Sequence, residues 1–137
     1  MLVRDIMTRN VRVASPDDDL QSAAAAMKQD DFGVLPVVER ERLVGMLTDR
    51  DIAVRAVARG LSPVQSRVRE IMSVEVEHVH DDDSAEDAAR VMSQMRVRRL
   101  PVLDHDDHLV GILSLGDLAI SRPEPAGAVL NSISQPG

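Results

Sequence analysis

Leu43-Val44-Gly45-Met46-Leu47-Thr48-Asp49-Arg50-Asp51 returns later in the chain as Leu109-Val110-Gly111-Ile112-Leu113-Ser114-Leu115-Gly116-Asp117. In each copy an apolar run reads as a strand, a hydroxyl residue ends it, and an acid follows three residues on, in the first turn of a helix. Two other phrases repeat in the same order. Val3-Arg4-Asp5-Ile6-Met7-Thr8 returns as Val68-Arg69-Glu70-Ile71-Met72-Ser73, and Leu35-Pro36-Val37-Val38 returns as Leu100-Pro101-Val102-Leu103. The residue numbers in these two pairs differ by 65 and those of the glycine phrase by 66, so the second copy carries one extra residue before its last strand. A unit of this size written twice is a statement about fold.

Working outward, each copy reads as strand, helix, strand, strand, helix. In the first, Val11-Arg12-Val13 alternates as a short strand, and Ser15-Pro16-Asp17-Asp18-Asp19 looks like a helix start, with acids against the positive end of the dipole. Leu20, Ala23, Ala24 and Met27 form that helix's apolar stripe. Val34 to Val38 and Leu43 to Leu47 form a hairpin, and a last helix carries Ile52, Ala53, Ala56 and Val57 before Gly60 closes it. In the second copy Glu75 to Val79 is the short strand. Asp81 to Ser84 starts a helix with Ala85, Ala88, Ala89, Met92 and Met95. Leu100 to Leu103 and Leu109 to Leu113 form the hairpin, and Leu115 to Ile120 the last helix. The expected boundaries are residues 1–62 for one repeat, 63–121 for the other, and 122–137 for a tail that is loose or forms a short helix near Ala128 to Ile133.

A chain of 137 residues is normally one domain, and two such halves together bury more than either alone. Phe32 is the single aromatic residue, so Val, Leu, Ile, Met and Ala must build the core. The net charge of −7 and the single lysine, Lys28, argue against nucleic acid as a partner, because phosphate-backbone binding rests on clustered cations. The absence of cysteine excludes a disulfide framework, a thiolate metal site and a cysteine nucleophile, and fits a reducing compartment. The first residues lack a basic-then-apolar signal pattern, and no apolar run approaches membrane-spanning length. A cytoplasmic protein with no membrane partner is the expectation.

The chemistry concentrates where the repeated strand meets its helix. A helix N-terminus offers unpaired N–H groups to a phosphate. Thr48 or Ser114 can add a hydroxyl donor, and Asp51 or Asp117 can accept from the vicinal hydroxyls of a ribose. The same residues also suit a capping box, which alone would account for one copy. Two copies at equivalent places favour a nucleotide site.

This doubled, ordered set resembles a tandem pair of CBS domains, a Bateman module, over nearly the whole chain outside the tail. The resemblance implies an α/β (α+β) fold: two β-α-β-β-α CBS repeats packed with pseudo-two-fold symmetry as one module. It implies inter-repeat clefts that bind an adenosine-containing ligand such as AMP, ADP, ATP or S-adenosylmethionine. It also implies a flat homodimer, here through the helix faces of Ile52, Ala53, Ala56 and Val57 and of Leu118 and Ile120. By position, Thr48, Asp51, Ser114 and Asp117 contact phosphate and ribose. The adenine would lie against Val11, Val13, Val34, Leu35 and Pro36 in the first repeat, and against Val76, Arg99, Leu100 and Pro101 in the second.

Arg96, Arg98 and Arg99 precede the second Leu-Pro-Val phrase, where Arg98 and Arg99 can clamp phosphates or instead form a solvated edge or salt bridges to the acids of a partner subunit. The first repeat has Gly33 and Val34 there, so the clefts are expected to be unequal. Arg50 and Arg55 can serve a phosphate or an interface equally well. His78 and His80 alternate on one face of a strand, and two such imidazoles can ligate a metal, but no cysteine completes a set. No residue is therefore assigned to metal, and a metal-binding module through His78 and His80 stands as a weaker alternative. His105 and His108 fall in a hairpin turn and are expected to be exposed.

No nucleophile–base–orienter set stands at suggestive spacing. The expectation is a non-enzymatic, stand-alone regulatory module that senses energy state or a metabolite, with no required cofactor and an adenine nucleotide as its regulatory ligand. The rival is a structural dimer with vestigial clefts that docks an unknown effector protein.

Overall fold

The structure, a computed structural model, describes residues 1–121 and Ile133. The described part of the chain forms two compact units that do not follow the repeats in sequence. Arg12–Val76 forms a central unit, and Met1–Val11 joins the chain from Glu77 onward as a carboxy-terminal unit. The expected division after residue 62 therefore does not describe the compact units: each repeat's opening phrase packs with the body of the other.

In the central unit, helix α2 spans Leu20–Asp30. Asp19 caps it, its carboxylate accepting from the Ser22 N–H at 2.7 Å, and Asp31 ends it in the left-handed region. The helix buries Leu20, Ala23 and Met27 against strand β1 (Val34–Glu39) and strand β2 (Arg42–Thr48). These strands pair antiparallel through Arg40 and Glu41, both at positive φ as a two-residue hairpin turn requires. Val11-Arg12-Val13 is not a strand. The parallel pairing with β1 is confined to Ala14, whose N–H donates to the Pro36 carbonyl at 2.9 Å and whose own carbonyl accepts from Val38 at 2.8 Å. Ala14 is the residue that packs inward, whereas Val13 is exposed and Arg12 swings out to pair with Asp30 at 2.7 Å.

After β2 the chain turns into a helix that widens to a π-helical segment at Asp51–Val57, and Gly60, at φ 68°, follows its end. Val68–Glu70 forms a short 3₁₀ turn, and Val68 and Ile71 enter the central core.

The carboxy-terminal unit repeats the plan. Helix α1 (Val3–Ile6) leads to Thr8. Strand β3 is only Val79–His80, parallel to strand β4 (Arg99–Leu103), so the expected strand from Glu75 is realised at its far end alone. Helix α3 (Ala85–Met95) is capped by the Ser84 hydroxyl, which accepts from the Asp87 N–H at 3.1 Å. Strand β5 (Leu109–Ser114) pairs antiparallel with β4, and helix α4 (Leu115–Ser121) follows directly. Val3, Met92, Val102, Leu113 and Leu118 are fully buried in its core, against which Ile133 packs. The expected tail helix lies otherwise outside the described residues.

Ala56 and Leu118 are core residues rather than parts of an outward face, because each is the inward position of its helix. The large apolar residues these two helices leave exposed are Val54, Val57 and Ile120, and Ala53 is exposed as well.

Candidate functional site

The exchange of opening phrases explains the repeated glycine. In the carboxy-terminal unit, Thr8 bridges β5: its N–H donates to the Ile112 carbonyl at 2.8 Å, and its carbonyl accepts from the Ile112 N–H at 3.0 Å. In the central unit Ser73 makes the same two bonds with Met46, both at 2.9 Å. A Cβ on Gly111 would meet the Thr8 carbonyl oxygen at 2.7 Å, and one on Gly45 would meet that of Ser73 at 2.7 Å. Only glycine lets the second backbone come this close. The opening phrase thereby delivers a hydroxyl residue beside the strand that ends in the Thr48 or Ser114 motif.

Those motifs form the same reciprocal cap twice. The Thr48 N–H donates to Asp51 Oδ2 at 2.9 Å, and the Asp51 N–H donates to Thr48 Oγ1 at 3.0 Å. Ser114 and Asp117 make the matching pair at 2.9 and 3.0 Å. All four residues are half-buried. The cap uses one carboxylate oxygen and one hydroxyl lone pair, so each hydroxyl keeps its proton to donate and each carboxylate keeps acceptor capacity. Capping and ligand binding are therefore compatible, and the cap orients the groups a ribose or phosphate would meet.

The two sites differ in what surrounds the cap. Thr8 Oγ1 lies 3.4 Å from both oxygens of Asp117, directing a second hydroxyl at that carboxylate. Reading each repeat as self-contained missed Thr8; the signal available was the threonine or serine that closes both opening phrases. Arg99 stands directly across from Ser114 in the β4–β5 register, and the Arg98 carbonyl accepts from the Leu115 N–H at 2.8 Å. Both arginines are exposed at this edge. In the central unit Val34 faces Thr48, and the Gly33 carbonyl accepts from the Asp49 N–H at 2.9 Å. A Cβ on Gly33 would lie 2.6 Å from the Asp49 carboxylate. An acid thus occupies the space where the other unit begins an arginine side chain. Arg55 approaches Asp51 Oδ1 at 3.7 Å and donates to the Ile71 carbonyl at 3.2 Å.

The expected adenine-facing residues divide differently from the reading by repeat. Val11 belongs to the unit of Ser114 and Asp117, whereas Val13 and Val76 belong to that of Thr48 and Asp51. Val76 therefore leaves the set it was expected to join, because it follows an opening phrase docked on the central unit. Val34, Leu35 and Pro36, and likewise Leu100 and Pro101, are buried, with Leu35 and Leu100 inside the two cores. What these positions offer a ligand is backbone along the strand rather than side-chain surface.

Comparison with known proteins agrees with this architecture. The family model described as CBS domain matches residues 3–57 and 68–123. The chain is 47% identical over 134 residues to CBS domain-containing protein YhcV of Bacillus subtilis, covering 96% of this chain and 94% of that protein. Hypoxic response protein 1 of Mycobacterium tuberculosis is 37% identical over 124 residues, covering 90% and 86%. A crystal structure of hypoxic response protein I, with two coordinated zinc ions, superposes with a TM-score of 0.80 at 36% identity, covering 88% of this chain and 98% of that one. CBSX2 of Arabidopsis thaliana in complex with AMP superposes with a TM-score of 0.77 at 28% identity, covering 90% and 96%.

Proposed function

Because the chain belongs to the CBS-domain family, we propose that it is a non-catalytic regulatory module that binds an adenosine-containing ligand, with phosphate-bearing forms such as AMP, ADP or ATP held by the carboxy-terminal unit. The observation that carries this reading is the setting of Asp117: the Ser114 N–H reaches its carboxylate at 2.9 Å, the Thr8 hydroxyl lies at 3.4 Å, and exposed Arg99 stands opposite Ser114 in the β4–β5 register. Asp117 accepts from the ribose hydroxyls, Ser114 and Thr8 donate, and Arg99 with Arg98 neutralises phosphate. The central unit, with Thr48, Asp51 and the Asp49 carboxylate in place of an arginine, favours a ligand of lower negative charge. Ligand binding favours one arrangement of the chain by differential affinity, which is the output a sensor needs. AMP bound by CBSX2 supports the ligand class. The module works as a homodimer in the cytoplasm, with Val54, Val57 and Ile120 as its exposed apolar contacts.

Calorimetry with AMP, ATP and adenosine tests the reading. Asp117→Ala weakens all three by about tenfold or more, the scale of a lost hydrogen bond to a charged group. Arg99→Ala weakens AMP and ATP but spares adenosine. A chain that binds none of the three overturns the reading.

A further inference from the structure

All four histidines of the chain gather at one end of the carboxy-terminal sheet. His80 ends β3 and His78 lies two residues earlier, while His105 and His108 sit in the turn between β4 and β5. His80 is opposite Leu103, the last residue of β4, so the end of β3 meets the turn that follows. The rings of His78 and His80 are 5.3 Å apart between centroids and nearly perpendicular. His80 stacks on His105 with centroids 4.8 Å apart and planes 4° from parallel. The far side of His105 is anchored, its Nε2 lying 2.7 Å from Asp82 Oδ2. His78 and His105 are exposed and His80 is half-buried, so ring burial in a core does not explain the gathering.

The spacing suits coordination. Two imidazoles bound to one tetrahedral metal at ordinary Zn–N lengths have ring centroids about 5.2 Å apart. The two observed separations, 5.3 and 4.8 Å, lie on either side of that value. The stacked His80 and His105 rings, 4° from parallel, must turn about their side-chain torsions to direct nitrogens at one ion. Asp82 completes the set, as a fourth ligand or as the carboxylate that orients a ligating imidazole.

We propose that His78, His80 and His105, together with Asp82, form a binding site for a divalent first-row transition metal of the zinc class. Imidazole-rich donor sets select such ions over magnesium and calcium. The site is separate from the adenosine site: Arg99 begins β4 and Leu103 ends it, which places the two about 13 Å apart along the strand. The same turn holds a second group, Asp104, Asp106 and His108, whose ligand atoms lie within 4.8 Å of one another. There Asp104 Oδ1 already accepts the N–H groups of Asp106 and His108 at 2.9 Å each, which shapes the turn.

Zinc chloride titrated into the full chain at neutral pH, followed by calorimetry and by imidazole nitrogen NMR, tests the proposal. One zinc binds per chain, and the ring signals of His78, His80 and His105 shift. His80→Ala and His105→Ala each weaken binding by about tenfold or more, while His108→Ala leaves it unchanged. AMP affinity is unaltered in His105→Ala, which keeps this result separate from the adenosine reading. These histidines line the surface, and far-UV circular dichroism verifies that each variant is folded; His105→Gln, which keeps the polarity and approximate size, provides a second variant. The proposal is overturned by the absence of saturable binding at submillimolar zinc. It is equally overturned by binding that survives both His80→Ala and His105→Ala, or that follows His108 and Asp104 instead.

Discussion

Gly111→Ala tests the docking of the opening phrase on β5. The new Cβ would lie 2.7 Å from the Thr8 carbonyl oxygen, 2.8 Å from Met7 Sδ and 3.1 Å from Met7 Cγ. A tolerable carbon–oxygen contact needs about 3.3 Å, so the Thr8 backbone must retreat by about 0.6 Å. That same oxygen accepts from the Ile112 N–H at 3.0 Å. The retreat stretches the bond to about 3.6 Å, beyond useful hydrogen-bond length. Overpacking contributes about 1–3 kcal/mol, and the weakened bond about 1 kcal/mol more. The expected loss is therefore about 2–4 kcal/mol, or about 8–16 °C in melting temperature at about 4 °C per kcal/mol. The chain has no Trp or Tyr, so urea unfolding is followed by far-UV circular dichroism. Gly45→Ala should lose a similar amount, because its Cβ meets the Ser73 carbonyl oxygen at 2.7 Å and Met72 Sδ at 2.9 Å. Gly116→Ala is the internal control. Its nearest neighbour is Ser114 Oγ at 3.5 Å, and a helical alanine gains about 0.5–1 kcal/mol over glycine. A Gly111→Ala chain within about 0.5 kcal/mol of wild type, the range of an uninvolved surface change, would refute the reasoning.

Two further outcomes follow from the packing and the caps. Leu113→Ala and Leu47→Ala each empty a fully buried position, one in each core, and should each cost about 2–5 kcal/mol in urea unfolding; a loss too small to resolve at either would mean that core does not close as described. Acid stability provides the other. Hydrogen bonds from Ser22 hold the Asp19 carboxyl below its usual value of 3.8, those from Arg90 and Ser84 do so for Asp87, and the backbone N–H groups of His108 and Asp106 do so for Asp104. A carboxyl with a lowered folded pKa stabilises the fold above its unfolded value, and that contribution disappears as pH falls through the folded one. Stability should therefore decline below about pH 4, and the decline should be smaller in Asp19→Asn, whose amide oxygen still accepts from Ser22 without titrating. Urea midpoints that fall equally in both chains would count against the cap.

Much of the fold was readable without coordinates, and particular residues show why. The hairpins, both long helices and their acidic or hydroxyl caps are local features, set by side-chain period and by groups three residues apart. The short first strands were misplaced because they rest on a single long-range pairing at Ala14 and at Val79–His80, which no local period encodes. The Thr48–Asp51 and Ser114–Asp117 pairs were legible as both cap and candidate site, since their partners are neighbours in sequence.

The sequence by itself determined that there are two like halves, that each contains a hydroxyl–acid pair at a helix start, and that only the second has arginines, Arg98 and Arg99, where the first has Gly33 and Val34. Only the tertiary structure decided which opening phrase serves which strand. Both phrases are near-identical, so nothing local distinguishes docking on the same repeat from docking on the other. The fold brings Met1–Val11 to the chain beyond Glu77, and Thr8 thus reaches Asp117 across most of the sequence. It likewise stacked His105, from a turn read as solvated, onto His80. The physical reason is the same in both places: a close backbone approach over glycine and a ring stack between strand end and turn are decided by three-dimensional packing, and residue order carries only the parts.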